Sequence, residues 1–150
     1  DDFLAVFDRT PALDLVMGAR VQLLGRTIRR SNARHYLGRV FATFASLTLE
    51  LPVYDTQCGA KLFRAPGALA RVVGTPFLSR GTFDVEVIAR LDRWSDLGAP
   101  AVSERIHEIP LFRWTEVPGS KVKPVDFFTS CRDLLRIRRR YYGGGAKRSS

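Results

Sequence analysis

Apolar residues in this chain follow two rhythms, runs of adjacent positions and repeats three or four residues apart, and their alternation predicts an α/β domain. Phe3, Leu4 and Phe7 have the spacing of a short amphipathic helix, which Thr10-Pro11 ends. Leu13-Asp14-Leu15-Val16-Met17 reads as a buried strand. It delivers Gly18-Ala19-Arg20 at its carboxyl end, where open α/β sheets bind ligands. Arg20 to Arg39, with Arg26, Arg29, Arg30 and Arg34 between, reads as a cationic loop feeding a helix. In that helix Tyr36, Leu37, Val40, Phe41, Phe44, Ala45 and Thr48 recur at helical spacing, predicting a core-facing stripe that ends before Pro52.

Further along, a short strand is expected over Cys58 to Phe63 and a short helix through Leu69 and Val72. Phe83, Val87, Ile88, Leu91 and Trp94 mark a second amphipathic helix, with Thr82 as its cap and Gly98 as its stop. Glu104 to Trp114 suggests an edge strand around Pro110. The last helix, Val125 to Tyr142, carries Phe127, Phe128, Cys131, Leu134, Leu135 and Tyr141 on one side, with Arg132, Arg136, Arg139 and Arg140 largely off it. Such a basic amphipathic helix can dock on its own domain or lie in a membrane interface, and the sequence leaves both open.

Composition narrows the partners. The chain has 150 residues, 45% of them hydrophobic, enough for one domain or part of one. A formal charge of +9 and a pI near 10.4 imply an anionic partner: nucleic acid, a phosphorylated small molecule or an acidic membrane face. Cys58 and Cys131 have no metal-ligand spacing, which points to a reducing compartment and no structural zinc. No signal peptide or bilayer-spanning run is present, the best candidate, Val40 to Val53, being interrupted by Glu50; a soluble or peripheral chain is expected. Met17 is the only methionine, so a piece of a longer protein is expected, with a domain over 1–142 and a low-complexity tail over 143–150.

Polar chemistry gathers in Tyr54-Asp55-Thr56-Gln57-Cys58-Gly59-Ala60-Lys61-Leu62-Phe63-Arg64. Asp55 and Gln57 fall in a loop entering a strand, and Gly59 admits close approach of a backbone or ligand. A plain turn with Lys61 and Arg64 solvated is the alternative. The arginines between Arg20 and Arg39 matter because a guanidinium fork can take two phosphate oxygens at once, with a solvated charge run as the alternative for Arg26, Arg29 and Arg30. Asp84 and Glu86 sit in a helix's first turn, where the dipole favours carboxylates. Gly119-Ser120-Lys121 offers backbone N–H groups, a hydroxyl and an ammonium suited to an anionic oxygen, or is a mobile surface loop. His107, beside Glu108, receives no role.

Asp55-Thr56-Gln57-Cys58-Gly59 continuing to Lys61-Leu62-Phe63-Arg64 resembles the signature of family 2 glycosyltransferases that load a sugar onto polyprenyl or dolichyl phosphate, most closely the dolichyl-phosphate glucosyltransferase branch. The resemblance implies the C-terminal half of a GT-A (Rossmann-like) catalytic domain, a mixed sheet flanked by helices with a C-terminal amphipathic helix. It implies transfer of a hexose, glucose from UDP-glucose, to a polyprenyl or dolichyl phosphate by a protein peripheral at the cytoplasmic face of a membrane. Asp55 becomes the leading active-site carboxylate. Arg20 and Arg34 become acceptor-phosphate ligands, with Gly18-Ala19-Arg20 where the family has Gly-Ser-Arg. Ser120, Lys121 and Arg113 fall in the donor diphosphate loop, and Gln57, Glu86 and Trp114 in supporting positions. The family's Asp-x-Asp, which holds Mg²⁺ or Mn²⁺, is expected before residue 1, leaving no metal ligand in this chain and the piece inactive alone. Two alternatives stay open: a nucleic-acid-binding domain using Arg20 to Arg39 and Arg132 to Arg140, and a lipid-phosphate-binding domain without catalysis.

Overall fold

A computed structural model describes residues 3–29, 32–64, 67–93, 99–115 and 124–143, apart from the side chains at 32, 34, 68, 71 and 124. Its organising element is β1 (Leu15–Ala19), buried at all five positions. β1 pairs antiparallel with β3 (Lys61–Phe63) and parallel with β4 (Ile106–Pro110), giving a mixed sheet of order β3-β1-β4. Pro110 ends an edge strand, where the missing N–H costs no ladder bond. β3 is shorter than the expected Cys58 to Phe63; residues 58–60 belong to the loop instead.

Alternation along β1 sorts its side chains onto two faces. Leu15 and Met17 enter the main core, with Phe41, Ala45 and Leu49 of α2 (Asn32–Leu49), Val85 and Ile88 of α4 (Phe83–Arg93), and Leu134 and Ile137 of α6 (Pro124–Tyr142). Val16 faces the other way, into a cluster with Leu13 and with Phe7 of α1 (Phe3–Arg9). Helices thus flank the sheet, and α3 (Gly67–Val73) packs on α4. At the carboxyl end of β1, Leu111 N–H donates to the Ala19 carbonyl at 2.9 Å. From there a separate parallel ribbon departs, β2 (Thr27–Arg29) with β5 (Arg113–Thr115).

Four expectations are corrected. The stretch from Arg20 to Arg39 is not all loop before its helix, because Thr27–Arg29 pairs with β5. The apolar stripe of α2 is only half core: Phe41 and Ala45 are buried, while Tyr36, Val40 and Phe44, about a third of a turn away, are exposed. On α6, Leu134 and Ile137 are buried but Phe128 and Leu135 are exposed, so its core row is shifted from the expected one. A four-residue helix, α5 (Val102–Arg105), stands where the edge strand was expected to begin. Arg105 at its end donates to Asp14 Oδ2 at 2.6 Å, tying α5 to the start of β1.

The exit from α2 aims the following loop. Glu50 adopts a left-handed conformation (φ 53°), and Leu51 N–H closes back on the Ser46 carbonyl at 3.2 Å, a helix-ending bond pattern. Arg138 of α6 donates to the Leu47 carbonyl at 2.6 Å, satisfying another of the last-turn acceptors. Ser46 Oγ then bonds both the N–H and the carbonyl of Val53, at 3.1 and 3.0 Å. Tyr54 and Asp55 follow directly from that fixed point.

Candidate functional site

Arg20 leaves the carboxyl end of β1 and meets Asp55 from the loop after α2. Asp55 Oδ2 accepts the Arg20 backbone N–H at 3.0 Å and Nε–H at 2.7 Å, and Oδ1 accepts Nη2–H at 2.8 Å. The contact is a bidentate fork with an additional backbone bond, and it holds the guanidinium above its ordinary pKa, chiefly through the hydrogen bond to Asp55. Trp114 of β5 lies with its ring 5.1 Å from the Arg20 guanidinium carbon. The pair is not sealed, the two side chains being 19% and 10% exposed.

A second ion pair lies behind it. Lys61 Nζ donates to Asp84 Oδ1 at 2.5 Å and also to the Cys58 carbonyl. Lys61 is therefore buried and paired, not solvated. Burial raises the Asp84 carboxyl above its usual range, outweighing the opposing bond from Lys61. Burial likewise raises the Cys58 thiol above its ordinary range. Arg64 is not free in solvent either: it donates to the carbonyls of Leu13 and Phe7 and tethers α1.

Glu108 completes the frame. Its Oε2 accepts from Tyr54 N–H at 2.8 Å and its Oε1 from Asp55 N–H at 2.9 Å. The Tyr54 ring lies under Arg39, whose guanidinium carbon is 4.0 Å from the centroid. Several buried polar atoms nearby in sequence have no partner among the described residues: Thr56 Oγ1, Gln57 Nε2 and Thr82 Oγ1. Thr82 consequently starts α4 through its carbonyl, which accepts from Val85 and Glu86, and not through its hydroxyl as expected of a cap.

Of the residues singled out in the sequence, Arg20, Asp55 and Trp114 come together, and Gln57 lies two residues beyond Asp55 with its amide unpartnered. Arg113 is exposed on β5. Arg34 lies in the first turn of α2, its side chain outside the described set; Ser120 and Lys121 lie outside the described residues altogether. Glu86 is fully buried and engaged with Arg90, the Tyr141 hydroxyl and the Leu78 N–H. The carboxylate of α4 that joins this cluster is that of Asp84, through Lys61 of β3. Lys61–Asp84 and Glu108 are the additions geometry makes. Glu108 had a legible signal: it alternates with Ile106, a core residue, and so shares the strand's inward face. Among the described residues, no group of three or more His, Cys, Asp or Glu could hold a metal ion, and no helix is long and apolar enough to cross a membrane.

This arrangement presents an oriented guanidinium at the carboxyl end of the central strand, suited to a phosphate. Neither a family model nor a solved structure matches the chain. Curated proteins do. The chain is 32% identical over 135 residues to a dolichyl-phosphate β-glucosyltransferase of Dictyostelium discoideum, over 88% of this chain and 38% of that protein. It is 32% identical over 132 residues to the mouse dolichyl-phosphate β-glucosyltransferase, covering 87% and 38%, and 30% identical over 135 residues to the Saccharomyces cerevisiae one, covering 87% and 37%. The chain is thus a homologue of the dolichyl-phosphate β-glucosyltransferases along most of its own length, and it spans little more than a third of theirs.

Proposed function

We propose that this chain forms the acceptor-phosphate side of a family 2 hexosyltransferase with a GT-A fold. The reaction moves glucose from UDP-glucose to dolichyl or another polyprenyl phosphate at the cytoplasmic face of a membrane. One observation carries the reading: in a chain similar to enzymes of that name, Arg20 stands at the carboxyl end of the central strand with its guanidinium already oriented. Asp55 takes the Nε/Nη2 edge of the fork, so among the described residues the Nη1/Nη2 edge is left for two phosphate oxygens.

The chemistry suits that division. A phosphate acceptor is already anionic at neutral pH, so attack on the anomeric carbon needs no strong base. Asp55, with both oxygens occupied by N–H donors, positions Arg20 and takes no proton in this scheme. Arg20 offsets repulsion between the incoming phosphate and the departing diphosphate, and holds the acceptor in line for displacement. Arg34 is assigned a second contact to the acceptor phosphate. Ser120, Lys121 and Arg113 are assigned to the diphosphate leaving group. A divalent cation, Mg²⁺ or Mn²⁺, would supply charge neutralisation of the nucleotide diphosphate in the complete enzyme. Asp55 and Asp84 do not suit it as ligands, since each already holds a cationic side chain, and no step here runs through it.

The test is to assay the complete protein, with Mg²⁺ or Mn²⁺, against a panel of sugar nucleotides and polyprenyl phosphates. Glucosyl transfer from UDP-glucose to dolichyl phosphate is expected. Failure to use any polyprenyl phosphate, with tight salt-sensitive binding to random duplex DNA, would move the basic residues to the nucleic-acid reading.

A further inference from the structure

Across the sheet, Met17 of β1 stands between Lys61 of β3 and Glu108 of β4. Residues abreast in a sheet project to the same face, so a cation and a carboxylate flank one core methionine. Both reach the same loop. Glu108 accepts the N–H groups of Tyr54 and Asp55 at its start, and Lys61 donates to the carbonyl of Cys58 at its end. Each matches the polarity of the backbone groups it meets. The stretch between them carries Asp55, whose side chain orients Arg20.

We propose that Glu108 is a positioning residue for the acceptor site, one that fixes the backbone of Asp55 and through it the heading of the Arg20 guanidinium. Its chemistry explains why a carboxylate is required there. Two N–H donors, on successive residues, converge on two oxygens 2.8 and 2.9 Å away. A glutamine in the same place has one acceptor only, and its amide N–H₂ would confront the second donor. An aspartate is one methylene too short to span the same gap from β4. Arg20 is thereby fixed from two sides, through Glu108 and Asp55 behind and by the ring of Trp114 on β5.

This inference rests on the proposed acceptor role of Arg20, and two readouts on Glu108→Gln keep the two claims apart. The first is amide hydrogen exchange. The exchange of the Tyr54 and Asp55 amides should quicken by about tenfold or more, as loss of a bond to a charged acceptor predicts, while Gly18, bonded to the Ala60 carbonyl, is unchanged. The second is kinetics with dolichyl phosphate and UDP-glucose. The acceptor KM should rise by about tenfold with the donor KM within about twofold. Unchanged exchange at those two amides, or a fall in kcat with both KM values intact, overturns the proposal. If the variant does not fold, wild-type exchange decides: the two amides must exchange as slowly as Gly18, and rapid exchange overturns the clamp. A wild-type protein that transfers sugar to no polyprenyl phosphate would overturn the functional reading and with it the catalytic consequence, while the exchange arm still decides the clamp.

Discussion

Asp84 and Glu86 stand two positions apart on α4 and face roughly opposite ways, about 200° around the helix, and each anchors a charged cluster of a different kind. Around Glu86 everything is closed. Arg90 is 1% exposed and its donors reach Glu86, the Tyr141 hydroxyl and the carbonyls of Val72, Thr75 and Pro76. That network joins α3, α4 and α6 and leaves its guanidinium no edge for a ligand. Around Asp84 the cluster is open-ended. Among the described residues, one edge of the Arg20 fork, Gln57 Nε2 and the hydroxyls of Thr56 and Thr82 have no partner. A saturated cluster is a structural joint; an unsaturated one, with a cation oriented by a carboxylate, is a place for a ligand.

The contrast breaks first at Arg90. Arg90→Ala strands a buried carboxylate and several carbonyls, and should cost about 3–5 kcal/mol of stability by urea unfolding. A loss below about 1 kcal/mol would show the sealed cluster to be no joint at all. Asp55→Ala tests the other side. With Arg20 no longer aimed, glucosyl transfer by the complete protein should fall by about a hundredfold, while stability, measured the same way, should fall by about 1–3 kcal/mol, less than for Arg90→Ala because Arg20 keeps 19% of its side chain exposed to water. A large stability loss with unaltered transfer would put Asp55 in the structural class with Glu86.

The smallest effect concerns pH. Burial lifts the Asp84 carboxyl above its ordinary 3.8, so the folded protein binds that proton more tightly than the unfolded chain does. The group therefore favours folding below 3.8, and that contribution disappears as pH rises through the raised value. Asp84→Asn, which cannot ionise, should gain stability relative to the wild type over that rise, by less than either change above. Parallel profiles of Tm against pH would contradict it.

Much of the frame was legible in the sequence, and the gaps have physical causes. β1 could be read because its apolar run is buried on both faces, and α4 because Val87, Ile88 and Leu91 recur at helical spacing, although the structure buries every position from Asp84 to Leu91 and exposes Phe83. β2 could not: Thr27, Ile28 and Arg29 carry one apolar residue among arginines, and they are extended because β5 pairs with them. Arg20 and Asp55 are 35 residues apart, so only the likeness to a known signature suggested that they share a site. The inward facing of Glu108 could be read from its alternation with Ile106, but the amides it accepts lie more than fifty residues away, beyond what local spacing can reach. On α2, periodicity marked an apolar stripe wider than the core uses, and only packing separates the buried Phe41 and Ala45 from the exposed Val40 and Phe44.

The oriented guanidinium is most directly tested by the affinity of the complete protein for dolichyl phosphate before and after Arg20→Ala. Loss of a bidentate charged contact should weaken acceptor binding by about a hundredfold and leave UDP-glucose binding within about twofold. Acceptor binding that survives the change, or equal losses for both substrates, would contradict the assignment.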